Sequence, residues 1–493
     1  MRFFLNAFGK FLATTPEFLV RGFCYSIAWL IVKIPNSRSY AILMNLHHCF
    51  PEKSERERVA IAIESASRTI EMGFFVLAMP FLKKEEFKKR FVFGKSTEEE
   101  LAVFEKKPTL LLVPHFSMME SVSLFPSLTD MQLPKVGVMY RPFDNDALEY
   151  WIKSTREKFG VKLLSRKKDL RLTFDYLKSN NILAILFDQN PLHRGALGLF
   201  MGMTSTYTTM PDIFQDRFEN LQAGIIYARR TGFWRSEICA KRLEPKNEKE
   251  IMFLANQWLE EQLKGEMQCD WLWLHNRWSY QRDPAKEFVV DNPINHLEEN
   301  LKFLNLSECP RKRKYFLNVP LGLKEVLDVL SCLSTLRKSR YDSSFTMLTK
   351  SKYIDLISAF SIADDVKESP ESFCLCGALC KAKKLRKEYS NVIVQFNGTF
   401  IGNLLLKKMG APRRLVLGKK KHFKNTLYSV DKINVETCRN FFKKCGAVGE
   451  FESLLKPEIS IIKKEKDSIE FLCNGKNIKL SFQDFEIFEK YFN

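Results

Sequence analysis

The chain has 493 residues, a length that favours two or three domains over one. Its composition, 45% hydrophobic and 27% charged residues, excludes a largely disordered protein. The formal net charge of +19 attracts nucleic acid, anionic lipid headgroups or an acidic protein. Because the basic residues form short dispersed runs without a zinc-finger or helix-turn-helix signature, we expect no nucleic acid partner.

Residues 1–35 are strongly apolar, and eleven apolar residues, GFCYSIAWLIV, separate Arg21 from Lys33. Eleven helical residues rise only about 16 Å, whereas the hydrocarbon core of a membrane is about 30 Å thick. A helix from about Pro16 to Ile34 could nearly cross the core, or it could lie in the membrane interface. A buried core helix is the third alternative. Since no small-residue cleavage site follows, we predict a retained membrane anchor over residues 1–35.

Residues 36–284 are predicted to form an α/β domain with a mostly parallel sheet. The segment up to about residue 106 reads as helical, and Ser54 and Glu57 have the spacing of a capping box at a helix start. Beyond it, short apolar runs alternate with helical patterns, as in α/β domains. The predicted strands are Thr109–Val113, Lys135–Tyr140, Ile182–Phe187 and Ala223–Tyr227, and the predicted helices between them include Asp146–Phe159 and Lys168–Leu177.

A polar segment after Tyr280 predicts a linker over residues 285–312, and a second alternation of strands and helices follows in residues 313–493. Its predicted elements are the strands Tyr315–Val319, Ser344–Leu348 and Asn391–Gln395 and the helix Glu325–Arg337.

Twelve cysteines at irregular spacing predict reduced thiols in a cytosolic compartment. The tightest group is Cys374, Cys376 and Cys380. A structural zinc site needs about four ligands, and the nearest histidine, His422, is distant in sequence. We therefore expect buried or idle thiols and no metal site.

The stretch LLLVPHFSMMES places His115 and Glu120 directly behind the first predicted strand. On a continuous helix, five residues would turn the two side chains about 140° apart, so a turn must intervene. Pro114 favours such a strand end. If a helix begins around Ser117, Glu120 can orient the His115 ring and leave its other nitrogen to accept a proton from a hydroxyl. The alternative is a capped helix start with a satisfied histidine.

Two further polar residues, Arg141 and Asp188, follow predicted strands. Ligands of open α/β sheets bind at the carboxyl ends of strands, so we expect both residues beside His115. Arg141 suits a phosphate or a developing oxyanion, and its alternative is a surface ion pair. For Asp188 the alternative is a helix cap or a turn residue.

Five stretches of the sequence resemble, in order, motifs of the lipid A late acyltransferase family, the lauroyl and myristoyl transferases. The resemblance covers about residues 1–282. Ser117, Met118, Met119 and Asn190 depart from the usual pattern of the family, which leaves the choice of substrate open. The motifs that carry the resemblance are NLHHCFPEKSERER, PHFSMMES, VMYRPFDND, LFDQN and WLWLHNRW.

The resemblance implies an enzyme at the cytoplasmic face of the inner membrane, moving a fatty acyl chain from acyl carrier protein to a hydroxyl of a lipid A precursor. It implies His115 as general base, Glu120 as its partner, and Arg141 and Asp188 in substrate binding. The donor is a thioester, so neither a metal nor another cofactor is expected. A basic surface suits both acidic acyl carrier protein and an anionic membrane surface.

Residues 313–450 more weakly resemble the N-terminal half of heptosyltransferase-like glycosyltransferases of family 9. Lys324 and Glu325 stand where that family usually has Gly and Asp, and the alternative for Glu325 is an ordinary acid in a first helical turn. Only 45 residues follow residue 448, too few for a second Rossmann-like half. We therefore expect a single Rossmann-like α/β domain that is vestigial or binds a ligand. The competing class for the whole chain is a non-enzymatic membrane-associated scaffold with two degenerate halves.

Overall fold

The computed structural model describes residues 2–94, 97–102, 107–129, 132–166, 168–191, 195–245, 250–278, 295–396, 400–418, 426–430 and 432–493. The chain divides into two compact units. The first contains Met1–Ala196 and Ser205–Arg277, and the second contains Leu197–Thr204 and Trp278–Asn493. The predicted domain boundary at residue 284 and residues 285–294 of the predicted linker lie outside the described residues.

The first unit is an α/β unit whose elements alternate after a helical N-terminal part. Its helices are α1 (Arg2–Thr14), α2 (Glu17–Lys33), α3 (Ser37–Cys49), α4 (Glu55–Ala78), α5 (Lys84–Arg90), α6 (Thr97–Ala102), α7 (Phe125–Leu128), α8 (Asp146–Arg156), α9 (Leu170–Lys178), α10 (Met210–Arg217) and α11 (Ile251–Lys264). Its strands are β1 (Phe91–Phe93), β2 (Thr109–Val113), β3 (Val136–Tyr140), β4 (Val161–Ser165), β5 (Ile182–Leu186), β8 (Gln222–Gly232) and β9 (Arg235–Leu243). Strands β6 (Ala196–Phe200) and β7 (Met203–Tyr207) pair in a two-stranded sheet, in which Leu197–Thr204 belongs to the second unit and the remaining residues to the first.

Within the described residues, the first unit holds a seven-stranded sheet with the order β1-β9-β8-β2-β5-β3-β4. The pair β8 and β9 is antiparallel, and the other neighbours are parallel. The predicted mostly parallel sheet is therefore confirmed. Strands β2 and β5 are buried along almost their whole length, which is why they read as continuous apolar runs in the sequence.

Helix α4 is the support on which the N-terminal helices α1 and α2 lie. It begins with the predicted capping box, in which Ser54 and Glu57 each accept a backbone N–H. Helix α2 buries every fourth residue, Val20, Cys24, Ala28 and Val32, and contacts α4 along this stripe. The remaining surface of α1 and α2 leaves large apolar side chains exposed. They are Phe3, Phe4, Phe8 and Phe11 on α1, and Phe18, Leu19, Phe23, Tyr25, Trp29 and Leu30 on α2.

The length and apolar content of the helices bear on the predicted anchor. Among the described helices, none alone is both long enough and apolar enough to cross a membrane. Helices α2 and α3, which are joined at an 85° bend, are long and apolar enough when they are taken together.

Replacing Gly9 by leucine is expected to detach α1 from the first unit. A Cβ atom at Gly9 would lie 2.2 Å from the carbonyl oxygen of Leu77, so the two helices would have to separate. Gly22 is the matched control, because a Cβ atom there meets nothing within 4 Å. Hydrogen exchange of α1 should accelerate in Gly9→Leu and remain unchanged in Gly22→Leu. Equal exchange in the two variants would contradict the close packing.

The second unit is also an α/β unit. Its helices are α12 (Leu297–Phe303), α13 (Leu323–Ser339), α14 (Ile354–Ala359), α15 (Leu375–Arg386), α16 (Phe400–Met409), α17 (Val435–Lys444) and α18 (Phe482–Phe492). Its strands are β10 (Arg313–Asn318), β11 (Ser343–Thr349), β12 (Asp365–Glu368), β13 (Val392–Gln395), β14 (Arg413–Gly418), β15 (Thr426–Ser429), β16 (Ile459–Lys464), β17 (Ser468–Cys473) and β18 (Lys476–Ser481).

In the part of the second unit that the structure describes, six parallel strands have the order β12-β11-β10-β13-β14-β15. The direction of progress reverses between β10 and β13, as in Rossmann-type sheets. Strands β16, β17 and β18 form a separate antiparallel sheet. Glu325 lies in the first turn of α13, and Cys374, Cys376 and Cys380 are exposed at the start of α15. Helix α12 lies inside the predicted linker.

Candidate active site

The predicted site residues of the first unit lie at the carboxyl edge of three neighbouring parallel strands. Val113 at the end of β2 pairs with Leu186 at the end of β5. His115 and Asp188 each stand two residues beyond this pair, so the register brings them side by side. Arg141 directly follows β3, the other neighbour of β5. The sheet therefore places three of the four predicted residues along one edge.

His115 and Asp188 form a buried hydrogen-bonded pair. The imidazole Nδ1 lies 2.5 Å from Asp188 Oδ1, and the backbone N–H of His115 donates to Asp188 Oδ2 at 2.8 Å. The indole Nε1–H of Trp271 donates to the same Oδ2 at 2.6 Å. His115 is 8% exposed and Asp188 is 1% exposed. Three donors thus hold the carboxylate, and the carboxylate holds the ring.

Asp188 is ionised at neutral pH despite its burial. Burial by itself raises its pKa, but the charge of His115 and the donated hydrogen bonds lower the pKa to about 2. Since an ionised carboxylate only accepts hydrogen bonds, Nδ1 of His115 carries a hydrogen, and in the neutral form of the ring Nε2 presents its lone pair. The side-chain amide of Gln189 lies 2.9 Å from this Nε2. A ring oriented in this way can accept a proton at Nε2.

Glu120 contacts Arg156 instead of the His115 ring. Its carboxylate accepts two hydrogen bonds from the Arg156 guanidinium, at 2.9 Å from Nε and 2.5 Å from Nη2. The predicted contact between Glu120 and His115 is not found among the described residues, because Asp188 occupies Nδ1. Glu120 lies in a 3-10 helix, Met119–Leu124, which directs its side chain toward α8.

A cavity of about 570 Å³ opens beside these groups. At the carboxyl edge of the sheet, which we call the polar end, it is lined by His115, Arg141 and Gln189, and Glu120 and Arg156 also belong to its polar lining. Its remaining wall is almost wholly apolar and includes one face of the sheet, where alternate residues of neighbouring strands point the same way. These are Leu111 and Val113 on β2, Val136 and Val138 on β3, Val161 and Leu163 on β4, and Ala184 and Leu186 on β5.

The two halves of the cavity suit different parts of one ligand. The apolar part matches a hydrocarbon chain, since its wall offers few hydrogen-bonding partners. Arg141 is exposed at the polar end, and no ion pair among the described residues involves it. The described residues contain no cluster of His, Cys, Asp or Glu arranged to hold a metal ion.

Residues of the motif WLWLHNRW form hydrogen bonds that support the His115–Asp188 pair. Trp271 holds Asp188, as described above. The backbone N–H of Asn190 donates to Nε2 of His275 at 3.0 Å, and its side-chain amide donates to the Arg277 carbonyl at 2.9 Å. The loop after β5, which carries Asp188, is thereby fixed to this segment. Asn190, predicted to influence substrate choice, serves here as a link between the two segments.

The stability of the first unit is expected to fall as the pH drops from about 6.5 toward 4. Burial, followed by the charge of Arg277, lowers the pKa of His275 to about 4. In the unfolded chain the ring titrates near 6.5, so between these values the unfolded state binds the extra proton. The free energy of unfolding should then lose up to about 1.4 kcal/mol per pH unit. His275→Gln keeps an acceptor that does not titrate and should flatten this slope in denaturant titrations. An unchanged slope would contradict the assignment.

The sequence alone did not identify Arg156, Gln189, Trp271 and His275 as parts of the site. Trp271 and His275 lie in the motif WLWLHNRW, which could have pointed to them. Nothing in the sequence marked Arg156 as a site residue, because basic residues are common in the last turn of a helix.

Comparison with known proteins identifies the family. Residues 1–280 match the model of the bacterial lipid A biosynthesis acyltransferases, which covers more than half of the chain. The chain therefore belongs to this family, and the sequence resemblance is confirmed.

Two relatives share the family name. Lipid A biosynthesis acyltransferase 2 of Shigella flexneri is 32% identical over 130 residues, which are 26% of this chain and 40% of that protein. Lipid A biosynthesis acyltransferase of Haemophilus influenzae (strain ATCC 51907 / DSM 11121 / KW20 / Rd) is 23% identical over 217 residues, 43% of this chain and 66% of that protein. The chain thus matches less than two thirds of either relative.

Two solved structures are also similar to part of the chain. The first is the glycosyl transferase family 9 protein of Veillonella parvula DSM 2008, with 15% identity and a TM-score of 0.26; the match covers 29% of this chain and 44% of that chain. The second is the E. coli heptosyltransferase WaaC with ADP-2-deoxy-2-fluoro heptose, with 14% identity and a TM-score of 0.22; the match covers 27% of this chain and 48% of that chain. They belong to the glycosyltransferase group that the sequence of residues 313–450 resembles.

Proposed function

We propose that the protein transfers a fatty acyl chain from an acyl carrier protein thioester to a hydroxyl group of a lipid A precursor. The observation that carries the proposal is the His115–Asp188 pair at the polar end of an apolar cavity. Family membership supports the reaction class and a lipid A type of substrate.

In the proposed reaction, Nε2 of His115 takes the proton of the acceptor hydroxyl. The hydroxyl oxygen attacks the thioester carbonyl carbon, and a new C–O bond forms. The tetrahedral intermediate then expels the thiolate, which receives the proton from His115. Asp188 acts by holding the ring tautomer and stabilising the imidazolium that forms. The acceptor hydroxyl displaces the side-chain amide of Gln189 from Nε2.

Two cationic side chains at the polar end complete the proposed site. Arg141 is suited to bind a phosphate of the acceptor or the developing oxyanion. Glu120, in place of the predicted role as partner of His115, holds Arg156 at the cavity through its two hydrogen bonds. We therefore assign Glu120 as a positioning residue.

We further propose that α1 and α2 attach the protein to the cytoplasmic face of the inner membrane. Their exposed phenylalanines, with Lys10, Arg21 and Lys33 among them, suit an interfacial location. Glu17 accepts hydrogen bonds from both Arg90 and Arg235, which ties the start of α2 to the first unit. The net charge of +19 favours both anionic lipid and acidic acyl carrier protein.

The test is incubation of membranes carrying the protein with acyl carrier protein thioesters and a lipid A precursor, followed by mass measurement. A gain of one acyl chain is expected, and its mass reports the chain length. No gain with any donor would instead favour the membrane-associated scaffold.

A further inference from the structure

The two adjacent helices α15 and α16 of the second unit share one core. Ala378, Ala382 and Leu385 of α15 meet Leu405 and Leu406 of α16 in that core. The amino ends of both helices carry exposed apolar side chains on the outer side, which we call the α15–α16 face. They are Phe373, which directly precedes α15, Leu375, Phe400 and Ile401.

The carboxyl ends of the same two helices are basic. On α16, Lys407 and Lys408 follow Phe400 and Ile401 by seven residues, which places each lysine on the same side of the helix as its apolar residue. Lys383 and Lys384 are exposed on α15, and Lys407 and Lys408 on α16. A helix of ten to twelve residues is about 15–18 Å long, so the apolar and basic parts of the face lie within one helix length.

Neither helix contains an aspartate or a glutamate. The acids nearest in sequence are Glu371 and Glu388, and both have partners inside the unit. Glu371 accepts hydrogen bonds from the amides of Asn318 and Gln395, and Glu388 accepts one from Lys367. The positive charge of the face is therefore not offset by acidic residues of these helices.

We infer that the α15–α16 face binds the surface of an anionic bilayer. Exposed aromatic and aliphatic side chains beside a cluster of lysines are typical of interfacial contacts, in which the apolar groups enter the headgroup boundary and the lysines meet anionic lipids. The inference rests on the proposed attachment through α1 and α2. That attachment would tether the second unit near the bilayer, so that a weak contact suffices at a high effective concentration.

The first experiment measures hydrogen exchange of the full chain with and without phosphatidylethanolamine vesicles containing one part in four of phosphatidylglycerol. Exchange in α15 and α16 should slow when the vesicles are added, together with exchange in α1 and α2. Protection of α1 and α2 without protection of α15 and α16 would overturn the inference and leave the proposed attachment standing. Absence of protection in α1 and α2 would instead refute the attachment.

The second experiment compares charge reversals at matching helix positions. Lys407→Glu/Lys408→Glu places two acids in the last turn of α16, and the control Lys443→Glu/Lys444→Glu does so in α17, which lies elsewhere in the unit. Because each basic residue near an anionic surface strengthens binding roughly fivefold, vesicle binding should weaken by at least tenfold in the first variant and little in the control. Equal binding of the two variants would contradict the inference.

The apolar part of the face has its own matched control. Leu375 and Ile401 are 53% and 49% exposed, and Ile461 and Ile462 of β16 are 48% and 52% exposed. Leu375→Ser/Ile401→Ser should lower vesicle binding and the protection of α15, whereas Ile461→Ser/Ile462→Ser should not. Lys407→Glu/Lys408→Glu could instead abolish binding of purified acyl carrier protein and leave vesicle binding unchanged. That result would contradict the inference and indicate an acidic protein as the partner of this face.

Discussion

Replacement of His115 by alanine is expected to lower acyl transfer to the lipid A precursor by about 10²- to 10⁴-fold, the usual contribution of a general base. The fold should survive, because the ring is near the surface of a cavity and Asp188 keeps two other donors, the backbone N–H of residue 115 and Trp271. The measurement is the initial rate of acyl transfer, with the thermal unfolding midpoint as a check on the fold. A rate within threefold of the parent would defeat the proposed base.

Asp188→Asn tests how the ring is held. An asparagine amide can donate to Nδ1, which would place the hydrogen on Nε2 and remove the lone pair that accepts the proton. The rate should fall about as far as in His115→Ala, and the double variant should fall no further. Additive losses in the double variant would show that the two residues act separately.

Replacement of Val136 by phenylalanine is expected to shorten the acyl chain that the protein transfers. Val136 and Val161 pair at the amino ends of β3 and β4, about 13 Å along the sheet from the level of Tyr140 at the polar end. A larger side chain there is expected to fill part of the apolar cavity that Val136 lines. Each methylene group that can no longer be buried weakens binding by about 0.8 kcal/mol, roughly fourfold.

Competition among acyl carrier proteins with different chain lengths, followed by product mass measurement, checks this expectation. Val136→Ala is the opposite change at the same position and should shift the products toward longer chains. Identical product distributions in the two variants would mean that the acyl chain does not occupy this part of the cavity.

The sequence predicted the four central strands of the first sheet, β8, β2, β5 and β3, because they contain buried apolar runs, but it did not predict β1, β4 and β9. Strand β2 has the bounds that the sequence predicts, and β5 differs by one residue. Strand β12 was missed because its sequence, DVKE, is polar and partly exposed, so that neither an apolar run nor a clear alternation marks it. The order of the strands in the sheet could not be predicted either, because a single sequence does not show which strands are neighbours.

The partner of His115 illustrates the same limit. Glu120 is five residues away and Asp188 is 73 residues away, so spacing alone favoured Glu120. The register of β2 with β5 decides otherwise, because it aligns His115 with Asp188 across two parallel strands. Both acids were singled out from their positions after strands or turns, and only the pairing required the three-dimensional arrangement.

The residues of the proposed site and the apolar residues of the cavity come from opposite ends of the same strands. His115, Arg141 and Asp188 follow the strands, whereas Val136 and Val161, which line the cavity, begin them. A substitution at Val136 or Val161 is therefore expected to leave the strand register, and with it the reactive groups, in place. We therefore expect single substitutions at the amino ends of β3 and β4 to change the chain length that the proposed site accepts, while the groups proposed to transfer the chain stay in position.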